Sequence, residues 1–245
     1  MPPPPEVGAV AMRFLSSLRS TSAMVTAAAK CPSQPGPLPF KKPGEPVTSI
    51  GLSSHAIGWV AIATGVAILL GALFLAFFFA IGQPFGTLND LLIAIAAILS
   101  GVMAWMTYSA FHTQSPQLSL LALLAASAGA IIVTVGSVLV ISGVTGWYLA
   151  GLYMMAGNAL IGLWLAALSY SAQHSNAWPH GLAVLRIVAG AIMAVGLLTV
   201  PGIIRGVEAW EAAPWGVNLG QVGFLGWAAA YPIWCIWLGR LLLAK

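Results

Sequence analysis

From Ala56 onward polar residues interrupt the chain so rarely that it divides into six apolar runs, at residues 56–81, 89–111, 118–142, 147–170, 181–200 and 223–243. Each is close to the ~20 residues a helix needs to cross a hydrocarbon core. None carries a sustained polar face, so the pattern predicts embedded helices rather than helices lying on a surface. Turn-forming residues fill the breaks: Gly82, Pro84 and Gly86; Ser115 and Pro116; Gly143 and Gly146; Asn176 and Pro179; Pro201 and Gly202. Trp59, Trp105, Trp147, Trp178 and Trp227 fall near the expected helix ends, where an aromatic belt meets the headgroups. The fold expected is all-α: a polytopic transmembrane bundle of six spans over residues 55–245, preceded by a tail.

Residues 1–54 have the composition of that tail. A proline run at Pro2 to Pro5 and alternating Pro and Gly from Pro32 to Pro46 favour extended, solvated backbone, so a disordered, basic, Pro/Gly-rich segment is expected. Between these runs, residues 11–29 contain Arg, Ser, Ala and Leu but no acid, which is the pattern of an organellar transit peptide. The plainer alternatives are an amphipathic surface segment or an over-long start, with Met12 and Met24 as other initiators.

Composition agrees with the pattern. The 245 residues are 60% hydrophobic and 6% charged, whereas a water-facing domain carries about 25% charged residues. The implied surroundings are a lipid bilayer, with other membrane subunits as possible partners. Nucleic acid is not implied by the net +4, because five of the nine basic residues (Arg13, Arg19, Lys30, Lys41 and Lys42) lie in the tail. Those residues instead set topology. The tail and the C-terminus (Arg240, Lys245) are basic, the first and third loops lack Lys and Arg, and the fifth has only Arg205. Both ends are therefore expected inside, in a bacterial plasma membrane or, on the transit reading, an organellar one. Cys31 in the tail and Cys235 in the last run sit in different media and predict no disulfide.

Few residues offer chemistry. In Gln83-Pro84-Phe85-Gly86-Thr87-Leu88-Asn89-Asp90, Thr87 and Asp90 have capping-box spacing, so a structural cap on the second helix is expected. The rival reading makes Asp90, the only acid between Glu45 and Glu208, an ion or proton site at the outer mouth. Asn158, mid-way along the fourth run, needs partners in hydrocarbon. Ser127, Thr134 and Ser137 are candidates for interhelical bonding, and a midplane ligand site is the alternative. Trp227, Tyr231 and Trp234 share a face of the last run beside a helix-bending Pro232, fit either to pack or to stack a ligand. Small residues at four-residue spacing (Ala63, Ala67, Gly71; Ala96, Ser100, Ala104; Ala122, Ala126, Ala130) predict close helix contacts. Arg205, Glu208 and Glu211 repeat every three residues opposite Ile203, Val207 and Trp210, suggesting a short interfacial helix, a lid or a docking surface. His112, His174 and His180 complete no metal-ligand pattern, and no cofactor is implied.

The Gln83–Leu92 segment, with its Pro84-Phe85-Gly86-Thr87 and Asn89-Asp90 pairs, and the terminal Tyr231-Pro232-Ile233-Trp234-Cys235 resemble an uncharacterised group of bacterial multi-pass membrane proteins. That resemblance covers about residues 58–243 and implies a six-helix membrane protein of bacterial origin, with no activity attached. The near absence of charge in the spans points to a non-enzymatic accessory or assembly subunit. A small transporter or channel for a neutral or apolar solute, built on Asn158 and the aromatic last helix, is the rival.

Overall fold

The computed structural model describes residues 48–112, 115–172 and 179–244, and Val47–Lys245 form one compact unit. The tail expected over residues 1–54, with Cys31, lies outside the described residues as far as Val47, as do His174, Asn176 and Trp178. From Thr48 the chain is already helical. Every regular element among the described residues is a helix, and six stretches are long and apolar enough to cross a membrane. These spans are Ser54–Ile81, Phe85–Ser109, Pro116–Ile141, Trp147–Ser169, His180–Ile204 and Trp215–Leu243. The protein is a six-span helical membrane protein.

Glycines close the turns on the side of the odd-numbered loops. At the end of the third span Gly143 adopts φ +71°, which only glycine does without strain. Its N–H donates to Val140 O at 3.1 Å and that of Val144 to Leu139 O at 2.9 Å, the paired bonds of a Schellman motif. Gly206, at φ +62°, repeats the arrangement after the fifth span, with Val207 N–H donating to Gly202 O at 3.0 Å. That stop overturns the expected interfacial helix of the fifth loop. Arg205 and Glu208 fall on opposite sides of a left-handed residue, and only a three-residue 3-10 turn, Trp210–Ala212, follows.

The last two spans are longer and less regular than the sequence predicts. Pro201 does not end the fifth span, which passes through a 3-10 turn (Val195–Thr199) into a short helix, Val200–Ile204. Pro201 stands in the first turn of that helix, where a missing N–H costs nothing. The sixth span starts at Trp215 rather than 223 and contains a π segment, Gly226–Ala230, just before Pro232. Proline cannot donate to the carbonyl four residues back and crowds it, and the wider π turn is one way a helix adapts.

The spans pack in cyclic order, each against the next, with the sixth returning to the first. The fourth is set inward: 72% of it is buried, against 33% of the first, third and fifth. Reciprocal glycine pairs bring backbones together at three crossings: Gly58 with Gly239, Gly129 with Gly157 and Gly162 with Gly190. A Cβ on Gly190 would stand 2.7 Å from Gly162 O, so side chains are excluded there. Ala122, Ala126 and Ala130 are buried as their spacing predicts, as are Ala96, Ser100 and Ala104. On the first span the stripe is rotated, with Ala67 and Gly71 buried but Ala63 exposed.

Candidate functional site: a polar-walled cavity between the spans

On the side of the first, third and fifth loops, a cavity of about 280 Å³ opens among the first, second, third, fourth and sixth spans, the third contributing only Val140. At 1.5 Å per residue, Asp90 lies about 8 Å and Asn158 about 16 Å along their helices from that side. The cavity therefore reaches from near the membrane surface towards mid-depth. Both residues line it, together with Asn89, Gln221 and an aromatic set.

Its mouth is aromatic and held by specific contacts. Trp147 stands edge-on to Phe79, with ring centres 5.8 Å apart, and Trp210 edge-on to Tyr148 at 6.0 Å. The Tyr148 hydroxyl donates to Asn218 Oδ1 at 2.8 Å, fixing the ring to the start of the sixth span. The fifth loop is strapped down by Glu208, whose Oε2 accepts from Gly146 N–H at 3.0 Å. That contact lies two residues from Trp210, which lines the cavity.

The inner wall is polar and incompletely paired. Asn89 Nδ2 donates to Asp90 Oδ1 at 3.1 Å, and both residues are buried. Asn89 Oδ1 and Asn158 Nδ2 are buried without a hydrogen-bond partner. An unpaired buried polar atom costs about 1–3 kcal/mol, and both atoms are closed off from the open space of the cavity. Trp227 completes the wall and lies in the π segment of the sixth span, an irregularity common at functional sites.

Beneath the cavity the bundle closes. The Tyr231 hydroxyl donates to Ser100 Oγ at 2.9 Å, and Ser100 Oγ donates to Ala96 O at 2.7 Å. Trp234 stacks on Tyr231 with ring centres 6.0 Å apart and meets Trp164 edge-on at 6.4 Å. The void on the other side of Trp164 measures about 10 Å³, room for about one water at most. The residues that line the cavity thus lie towards the first, third and fifth loops, with this aromatic cluster beyond them.

The residues singled out from the sequence separate accordingly. Asn158 and Trp227 meet in the cavity, while Tyr231 and Trp234 form the plug below it. Ser127 and Thr134 do not line it, and the Thr134 hydroxyl turns back to Ala130 O at 2.8 Å. Neither they nor Ser137 pairs with Asn158 Nδ2. The Thr87–Asp90 cap is not formed, because the helix begins at Phe85 and places Thr87 inside its first turn. Gln83 Oε1 instead accepts from Thr87 N–H at 3.4 Å and from its hydroxyl at 3.2 Å, which frees Asp90 to face the cavity. Trp227 is not at a helix end either; Trp215, strongly exposed, takes that place.

Two polar residues escaped the sequence reading. Asn89 precedes Asp90 within the motif that reads as a cap, and its sequence position alone gives no sign of a cavity. Arg186, the only Lys or Arg between Lys42 and Arg205, sits buried in the fifth span with its Nε donating to Ser169 Oγ at 3.0 Å. A lone charge in an apolar run was the available signal. Among the described residues no three His, Cys, Asp or Glu side chains gather as a metal site. Comparison with known proteins finds no matching family model, no matching curated protein and no matching solved structure.

Proposed function

We propose that this membrane protein binds a small solute in the cavity between its spans and carries it, rather than serving as an accessory subunit. The observation that supports the reading is the cavity of about 280 Å³ itself, with Asp90, Asn89 and Asn158 among the residues that line it. Polar glue between helices would leave that space filled. A solute site needs the opposite: a space between the spans at membrane depth, lined in part by polar residues. With both termini on the cytoplasmic side, as the basic residues predict, the cavity faces outward and the Tyr231–Trp234–Trp164 plug closes the inner half. Transport then requires the plug to part while Trp210 and the fifth loop close over the mouth.

Asn158→Leu tests this. The site reading expects the variant to be as stable as the parent or more so, because an unpaired donor is removed, while small molecules that stabilise the parent lose their effect. Thermal unfolding of the full chain in mild detergent against a small-molecule panel, with native mass spectrometry of retained ligands, reads both. A loss of about 1–2 kcal/mol in the variant, with no ligand for the parent, is the signature of glue. A stoichiometric protein partner in place of a ligand would support the accessory-subunit reading.

A further inference from the structure

The lining of the cavity also bears on what it takes, granted the reading above that it binds a solute. We infer that the solute is a small organic cation of the alkylammonium type, in place of the neutral or apolar solute that the sequence suggested.

Charge comes first. Among the described residues, Asp90 is the only ionisable carboxyl in the wall, and no Lys, Arg or His lines the cavity. An acid at this depth is costly in hydrocarbon and is kept where it meets a charge, water or a substrate. Its Oδ1 takes only one neutral donor, from Asn89, and a carboxylate has room for several. An anionic solute would face this group with no cation to offset it. An apolar solute would leave the carboxylate without a counter-charge.

The rings come second. Trp147, Tyr148, Trp210 and Trp227 line the same space, and Trp is the side chain whose face attracts a cation most strongly. Tryptophans at a membrane surface are ordinarily belt residues, but Trp227 is 3% exposed and lies well inside its span. A carboxylate with several indole rings around one void is the arrangement that holds alkylammonium groups.

Choline and 3,3-dimethylbutan-1-ol have almost the same shape and the same hydroxyl, and differ in charge. Titrating each into the full-length protein in mild detergent, with tryptophan fluorescence as the readout and sodium chloride as the ionic-strength control, tests the inference. Choline should give a saturable change and bind at least about tenfold more tightly than its neutral isostere. Asp90→Asn should bring the two within about twofold, and Asp90→Glu should restore the preference. Equal or tighter binding of the neutral isostere overturns the cation inference and leaves the binding cavity standing. So does an Asp90→Asn variant that keeps the full preference. No saturable response to either compound also overturns it, and the cavity reading is then decided separately by Asn158→Leu. If Asp90→Asn does not fold, the comparison of the two compounds on the parent protein decides.

Discussion

A methyl group added at Gly157 should unseat the fourth span, while the same methyl at Gly151, on the same helix, should not. A Cβ on Gly157 would lie 2.6 Å from Gly129 O, 2.6 Å from Val133 Cγ2 and 2.9 Å from Val133 N. Ordinary contact begins near 3.4 Å, so the third and fourth spans must separate by about 0.8 Å or tilt, since two of the three obstacles are backbone. Overpacking of this kind costs about 1–3 kcal/mol, and the upper half is expected here because backbone cannot rotate away. A Cβ on Gly151 would meet nothing within 4 Å. There Ala should be neutral or gain up to about 1 kcal/mol from helix propensity. Because Asn158 follows Gly157 directly, Gly157→Ala should also weaken solute binding. Reversible unfolding of both variants in mixed micelles gives the difference, which should reach about 2–3 kcal/mol. Equal stabilities would refute the close crossing and, with it, the placement of Asn158.

Two further substitutions probe the plug and the helix start. Tyr231→Phe removes the hydroxyl bonded to Ser100 but leaves Ser100 bonded to Ala96 O, so it should cost only about 0.5–1 kcal/mol in the same unfolding assay. A much larger loss would mean that the hydroxyl supports more than this pair. At the second span, Gln83→Ala should cost about 0.5–1 kcal/mol and Thr87→Val less, since Gln83 is the acceptor for both of Thr87's donors. The reverse order of the two would restore the capping box anticipated from the sequence.

The bundle was legible because each span repeats one message, apolarity for twenty or more residues, and redundancy survives local exceptions. Its ends were less so. Pro201 and Gly202 read as a stop, yet a proline in a first turn is compatible with continued helix, and only neighbours decide which applies. The glycine pairs at the crossings were invisible for a related reason. Gly129 and Gly157 are unremarkable within apolar runs, and only their juxtaposition gives them meaning. The cavity was half legible: Asn158, Trp227 and Asp90 each stood out, but nothing in the chain says that they share a space. The cap reading of Asp90 failed because Gln83, four residues before Thr87, competed for the same donor.

The distribution of paired and unpaired polar groups argues for a site more strongly than any one residue does. Hydroxyls in the spans mostly satisfy themselves at home: Thr64 bonds to Val60 O, Thr107 to Met103 O, Thr134 to Ala130 O and Ser169 to Leu165 O. Such residues are silent in packing, because a helix carbonyl takes the hydroxyl proton without help from a neighbour. Ser119 and Ser137 lack a partner, but each is a single small hydroxyl, and Ser119 borders the 10 Å³ void rather than the large cavity. An amide is different, since it has two polar ends and cannot turn both onto its own backbone. Two such amides, Asn89 and Asn158, each leave one buried atom unpaired, and both residues line the 280 Å³ cavity with Asp90. If they served stability alone, apolar residues of similar size would serve better, because each unpaired atom is a cost without return.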